Sequence, residues 1–280
     1  MKKALSKFLT SLGISGSKEV KSIEQSSSRS QKISDIKFTD QQGNEISKEE
    51  LSQATGRYNY AVYSINKSSD KAKELHQKAR EYGQKGDYAE AISHLEEAIQ
   101  DSPEWAYPYY DLAYTYLLND DFEKALKYYE LTDKVAPNGF FTSKTAIDVL
   151  RKEKTGVFSE GLYKNYMTLE WIDNPQEKVQ MLKLLVDNFP SLAPAWKDYS
   201  NFLEGEERLQ AIEKGLNENP DIETEGVLTI NKALVLNLNG QFNEAKELLM
   251  QVIFNPKSTF GNQELAKLVL NSISEENKKK

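Results

Sequence analysis

The chain has no cysteine and only two histidines, His76 and His94. The missing thiols exclude disulfides, thiolate metal sites and cysteine nucleophiles, and they suit a reducing compartment, with cytoplasm the expected location. No Gly-rich phosphate loop, no His-Glu-x-x-His pair and no nucleophile elbow occurs, so the recognisable routes to nucleotide, zinc and acyl-transfer chemistry are absent. Neither a cofactor nor a bound metal is expected. Asp40, Gly43 and Glu50 hold the wrong spacing for a calcium loop. Long apolar runs are missing too. Leu5, Phe8, Leu9 and Leu12 fall on one helical face behind Lys2 and Lys3, but Lys7 interrupts the stretch, which is too short for a secretory core or a membrane span. A frayed terminus is expected there, with no stable membrane insertion. Positive charge is scarce after the first residues: 1–37 carry eight Lys and Arg against three Asp and Glu, which leaves the remainder at net −12. So acidic a body is a poor general binder of nucleic-acid phosphates.

What is present is a register. Gly86-Asp87-Tyr88 lies 34 residues before Asp120-Asp121-Phe122, and Ala79, Tyr82, Ala91, Leu95 and Pro103 lie over Ala113, Tyr116, Ala125, Tyr129 and Pro137. Small residues at matched places let two antiparallel helices approach closely. Bulky ones fill the space beside them, and the prolines end the second helix of each pair. A single pair leaves an apolar face exposed, so neighbours must stack on it.

The period and the residue order resemble the tetratricopeptide repeat. The resemblance is specific over 72–138 and 226–256, where Ala233, Leu236, Gly240, Phe242, Ala245, Leu249 and Val252 return in order and Pro256 follows one residue early. It is partial over 193–220 and only helical in between. Helices are expected at 142–153, 160–171, 175–188, 194–203, 206–217 and 262–274, about twelve from residue 72 onward, or six pairs. The fold class is therefore all-α, an α-α superhelix over 72–259, closed by a capping helix and charged tail at 260–280. Before it stand a disordered basic, Ser-rich tail at 1–32 and a small α/β cap element at 33–66. In the cap, 36–39 reads as a strand, Ser47 to Glu50 as a capping box, and 57–63 as a second strand.

The resemblance implies a scaffold that holds a peptide or protein along a concave groove. The family's groove positions fall on Lys73, His76, Arg80 and Gly83, then on Tyr107, Tyr110, Tyr114 and Leu117. A third unit starting at Phe140 adds Phe141, Lys144, Asp148 and Arg151. Tyr107, Tyr110 and Tyr114 form one stripe at helical spacing, either core or contact surface, and we read them as contact surface. With Arg80, Lys144 and Arg151 at the edges, the trough would suit an acidic or aromatic segment. A carboxylate-holding site of the family is matched in part by Lys197, Asn201 and Asn231, whereas Gly261 and Leu265 occupy its last two places. His76 is assigned to the groove and His94 to a second helix, so they share no catalytic site. A non-enzymatic adaptor is the favoured reading; an enzyme or accessory domain with an acidic pocket and a self-assembling structural protein are the alternatives.

Overall fold

The computed structural model describes residues 36–39, 59–62 and 68–279. Two strands, β1 (Ile36–Thr39) and β2 (Asn59–Val62), pair antiparallel with Ile36 opposite Val62. The α/β cap expected at 33–66 is not supported beyond that ladder, because its helix and its seat on the array lie outside the described residues, as does the tail at 1–32.

From Asp70 the chain is helical. The regular hairpins are α1 (Asp70–Lys85) with α2 (Tyr88–Asp101) and α3 (Ala106–Leu118) with α4 (Phe122–Val135). Next come α5 (Ser143–Lys154), α6 (Leu162–Thr168), a 3-10 turn (Leu169–Trp171) and α7 (Pro175–Asn188). The chain continues through α8 (Ala193–Ser200), α9 (Gly205–Asn217), α10 (Ile222–Leu238), α11 (Phe242–Phe254) and α12 (Phe260–Lys279). Successive helices pack on one another as pairs, as a superhelical stack of helical hairpins requires. The capping helix runs longer than the expected 262–274.

The 34-residue register has a structural cause at each turn. Gly86 (φ +80°), Asp120 (φ +60°) and Gly240 (φ +82°) all take the left-handed conformation that ends a first helix. The backbone bonds repeat as well: Gly86 and Asp87 donate to Gly83 and Tyr82, Asp120 and Asp121 to Leu117 and Tyr116, and Gly240 and Gln241 to Asn237 and Leu236. Asp87 and Asp121 then cap the second helices by accepting from the amides of Glu90 and Lys124. Ala79, Ala91, Ala113, Ala125, Ala233 and Ala245 are all buried, where any larger side chain would push the helices apart.

Between residues 140 and 220 the rule changes. Glu153, near the end of α5, turns its carboxylate onto the amides of Gly161 and Tyr163 at 2.8 and 2.6 Å and so starts α6 from outside. Helices α6 and α8 have only seven and eight residues. Short elements tighten the curl, and α5 comes to rest against α10, some 78 residues away. Thr145 Oγ1 lies 3.2 Å from Asp221 Oδ1 and 3.1 Å from Thr224 Oγ1, and the Phe260 amide donates to the Asn138 carbonyl at 2.7 Å. Asn262 Nδ2 donates to the Glu223 carbonyl at 2.9 Å, so α12 is tied into the same junction. This closing contact is not part of a purely nearest-neighbour stack.

Candidate partner-binding groove

Helix α3 was expected to show its tyrosines to a ligand, and the structure corrects that. Every residue of α3 except Tyr107 and Tyr109 is buried. Tyr110 is 1 % exposed and donates to or accepts from Thr142 Oγ1 at 2.7 Å; Tyr114 is 3 % exposed. Burial pushes both phenols well above their ordinary range. The reason is compositional: Asp111 is the single charge in the helix, and a helix apolar all round is a buried helix. Tyr107 is half-buried, edge-on to Phe140 at 4.9 Å and to Phe141 at 5.7 Å, and Phe141 itself is core.

The cationic edge is also placed elsewhere. Lys144 pairs with Asp133 at 2.6 Å and Arg151 with Glu130 at 2.7 Å, so both tie α5 to the face of α4. His76 is buried, 2.7 Å from Asp111 and edge-on to Trp105 at 4.9 Å. His94, on α2, lies against Tyr82 at 5.4 Å.

Three of the groove positions do converge. Arg80 and Gly83 of α1 and Tyr114 of α3 line one cavity of ≈ 30 Å³, together with Tyr88, Asp111 and Thr115. That is room for a water or two, or for the tip of a small side chain. The Arg80 guanidinium is buried there; desolvation lowers its pKa, and the charges of Asp111 and Tyr107 act against that loss. Nothing lies within 4 Å of where a Cβ on Gly83 would sit, so the glycine leaves the mouth of the cavity open.

A second group of polar residues lies deeper along the curl. Lys197 pairs with Asp198 at 3.2 Å, and Tyr166 donates to the other oxygen of Asp198 at 2.6 Å. Asn231 Nδ2 reaches Asn201 Oδ1 at 3.4 Å. Two members of the expected Lys197, Asn201 and Asn231 set thus meet, but as partners of each other, and Asn231 is buried. Burial would lower the Lys197 pKa, yet Asp198, Glu223 and Asp221 outweigh it and hold the ammonium charged. Glu170 is exposed, and its pKa is raised first by the protein around it and then by Asp198. Open water weakens that effect, and Glu170 lies within electrostatic reach of α3, α6, α7 and α8.

Sequence reading missed Asp111, Glu170, Asp198, Asp221 and Glu223. Their roles depend on neighbours 30 to 80 residues away, which no local spacing marks.

Comparison with known proteins agrees with the regular hairpins. Residues 84–139 match the family model described as tetratricopeptide repeat. Over this stretch the chain is similar to that repeat, and the stretch lies within a helical fold of paired elements. Such repeats are in general protein–protein interaction scaffolds. No curated protein matches the chain. One similar solved structure is titled "MamA RS-1 ArsTM double mutant": it is 14 % identical, with a TM-score of 0.33, and the match covers 74 % of this chain and 98 % of that one. Among the described residues no helix is long and apolar enough to cross a membrane, and no group of His, Asp and Glu stands ready for a metal.

Proposed function

We propose that the protein is a non-enzymatic scaffold whose concave side takes an extended segment of a partner protein, with one partner side chain entering the cavity beside Gly83. The observation that carries this reading is the convergence of Arg80, Gly83 and Tyr114 on one open-mouthed pocket at the best-defined repeat pair. The lining offers both signs of polarity, Arg80 against Asp111 with two phenols and the Thr115 hydroxyl. A ligand group that is neutral and both donates and accepts, a hydroxyl or an amide, completes that set without unbalancing it. An acidic partner is less well served, since Lys144 and Arg151 are engaged on α4.

The carboxyls do not favour the enzyme reading. Glu223 is buried in the junction of α5, α10 and α12, out of a substrate's reach, and the charges that act on Glu170 are those of Asp198, Lys178 and Lys197. Affinity purification with Gly83→Trp tests the proposal. The indole should plug the cavity and abolish recovery of the wild-type partner while circular dichroism stays helical. Undiminished recovery with the plug in place would remove the cavity from the binding surface.

A further inference from the structure

The junction that closes the curl contains a carboxyl with no cation of its own. Glu223 is 8 % exposed, and its Oε2 lies 3.5 Å from both the amide and the hydroxyl of Thr145, which are long contacts. Asp221, which caps its helix, and Thr224 stand next to it, and Asp221 Oδ2 is buried without a hydrogen-bond partner. Helix α5 brings Lys144, but that ammonium is bonded to Asp133, and Asp148, which is bonded to Lys152. From α8 comes Lys197, already on Asp198. On α12, Glu264 is buried and pairs with Lys267, and Asn262 holds only the Glu223 backbone carbonyl. Tyr110 of α3 and Tyr163 of α6 lie within electrostatic reach, both neutral.

The segment that leads into the junction is strained as well. Phe141 takes φ +47°, a left-handed conformation unfavourable for an aromatic residue by about 1–3 kcal/mol, and it is held there by packing against Tyr107, Tyr110 and Phe140. A strained corner pinned by a few polar contacts has two natural arrangements, docked and released.

We propose that the contact of α5 with α10 and α12 is a clasp that closes when Glu223 carries its proton and opens when it loses it, widening the curve of the helical stack. Protonated, the carboxyl sits against Thr145 as a neutral group and the junction is uncharged at its centre. Ionised, it is a buried anion whose neighbouring cations are engaged elsewhere, and separation of α5 from α10 lets water reach it. The amide of Thr145 at the α5 N-terminus favours the anion, but at 3.5 Å its help is small. Burial, reinforced by Asp221, pushes the Glu223 pKa to about 8, with Lys197, the Thr145 amide and Lys144 pulling the other way. The clasp requires no ligand in the Gly83 cavity.

The chain has no cysteine, so nitroxide labels at Lys134→Cys and Lys257→Cys, both exposed, report one distance across the junction by pulsed electron resonance. At about pH 6 a single short distance is expected. At about pH 9.5 a longer one should replace more than about half of it, with the midpoint near 8 and unchanged far-ultraviolet circular dichroism. Glu223→Gln should keep the short distance at both pH values, and Thr145→Val should show the longer one at both. A distance that ignores pH in the wild type, a Gln variant that shifts as the wild type does, or helix loss in step with the distance change would each overturn the clasp. Should the Gln variant not fold, the wild-type midpoint decides: a midpoint above about 10, where lysines and tyrosines titrate, overturns it too.

Discussion

Residues 70–138 and residues 140–220 are built from the same kind of helix, yet they obey different rules. In the first stretch each hairpin repeats the last one, turn for turn, and matched alanines set the spacing. In the second, a carboxylate cap, a 3-10 turn and two short helices replace the repeated turn, and the chain bends until α5 meets α10. Regular repeats make a wall from nearest-neighbour contacts; irregular ones make a junction from contacts far apart in sequence. The open cavity lies in the wall, and the buried Glu223 and Glu264 lie in the junction.

The comparison breaks most violently in the wall. Ala91→Glu, at a site only 1 % exposed, forces a charge between α1 and α2 and should cost on the order of 4 kcal/mol or more, read as a collapse of the urea midpoint. Protection from hydrogen exchange should fall first over 70–138 and less over 205–279, because repeats fail with their neighbours.

In the junction the sensitive variable is pH. The folded-state pKa of Glu223 lies above its ordinary 4.5, so its contribution is fully present below about pH 4.5 and is lost as pH rises through about 8. At about 1.4 kcal/mol for each pH unit the loss is at most about 5 kcal/mol, and opening of the clasp makes it smaller. The stability of the wild type relative to Glu223→Gln should therefore fall between about pH 5 and about pH 8 in urea titrations and be flat beyond.

The same substitution should have effects of opposite sign in the wall and in the junction. At Gly226 a Cβ would stand 2.2 Å from Asn262 Nδ2 and 2.8 Å from its Cγ, in a buried place where that amide holds the Glu223 carbonyl. Gly226→Ala should cost about 1–3 kcal/mol. Gly83→Ala meets open space and restricts the unfolded chain, so it should add up to about 1 kcal/mol. Thermal melts of the two variants check the pair. Smallest of all, Arg151→Ala breaks an exposed ion pair with Glu130 and should change stability by less than about 0.5 kcal/mol.

How much of this could be read from the residues follows the same division. The hairpins of the wall were legible because Gly86, Asp120, Pro103 and Pro137 mark turns by their own conformational limits. Helix ends in the second stretch were nearly as legible: Pro175–Asn188 is found as expected, since Asn174 and Pro175 make a local start signal. Side-chain direction was not. Tyr107, Tyr110 and Tyr114 share a face by spacing, but spacing cannot say what covers that face, and Thr142 and Phe141 from the next unit cover it. Lys144 and Arg151 share another face, and Asp133 and Glu130 decide where it points. The junction left no trace in the sequence, because Thr145 and Asp221 become neighbours only through the bend between them.

The bend is tested most directly at one amide. Phe260 is the first residue of α12, where a helix offers its own N–H no partner, and the acceptor here is the carbonyl of Asn138. Residue-resolved hydrogen exchange near pH 6 should find the Phe260 amide strongly protected. Exchange at the rate of an unstructured amide, while Leu265 and Val269 in the same helix stay protected, would mean that the array does not close.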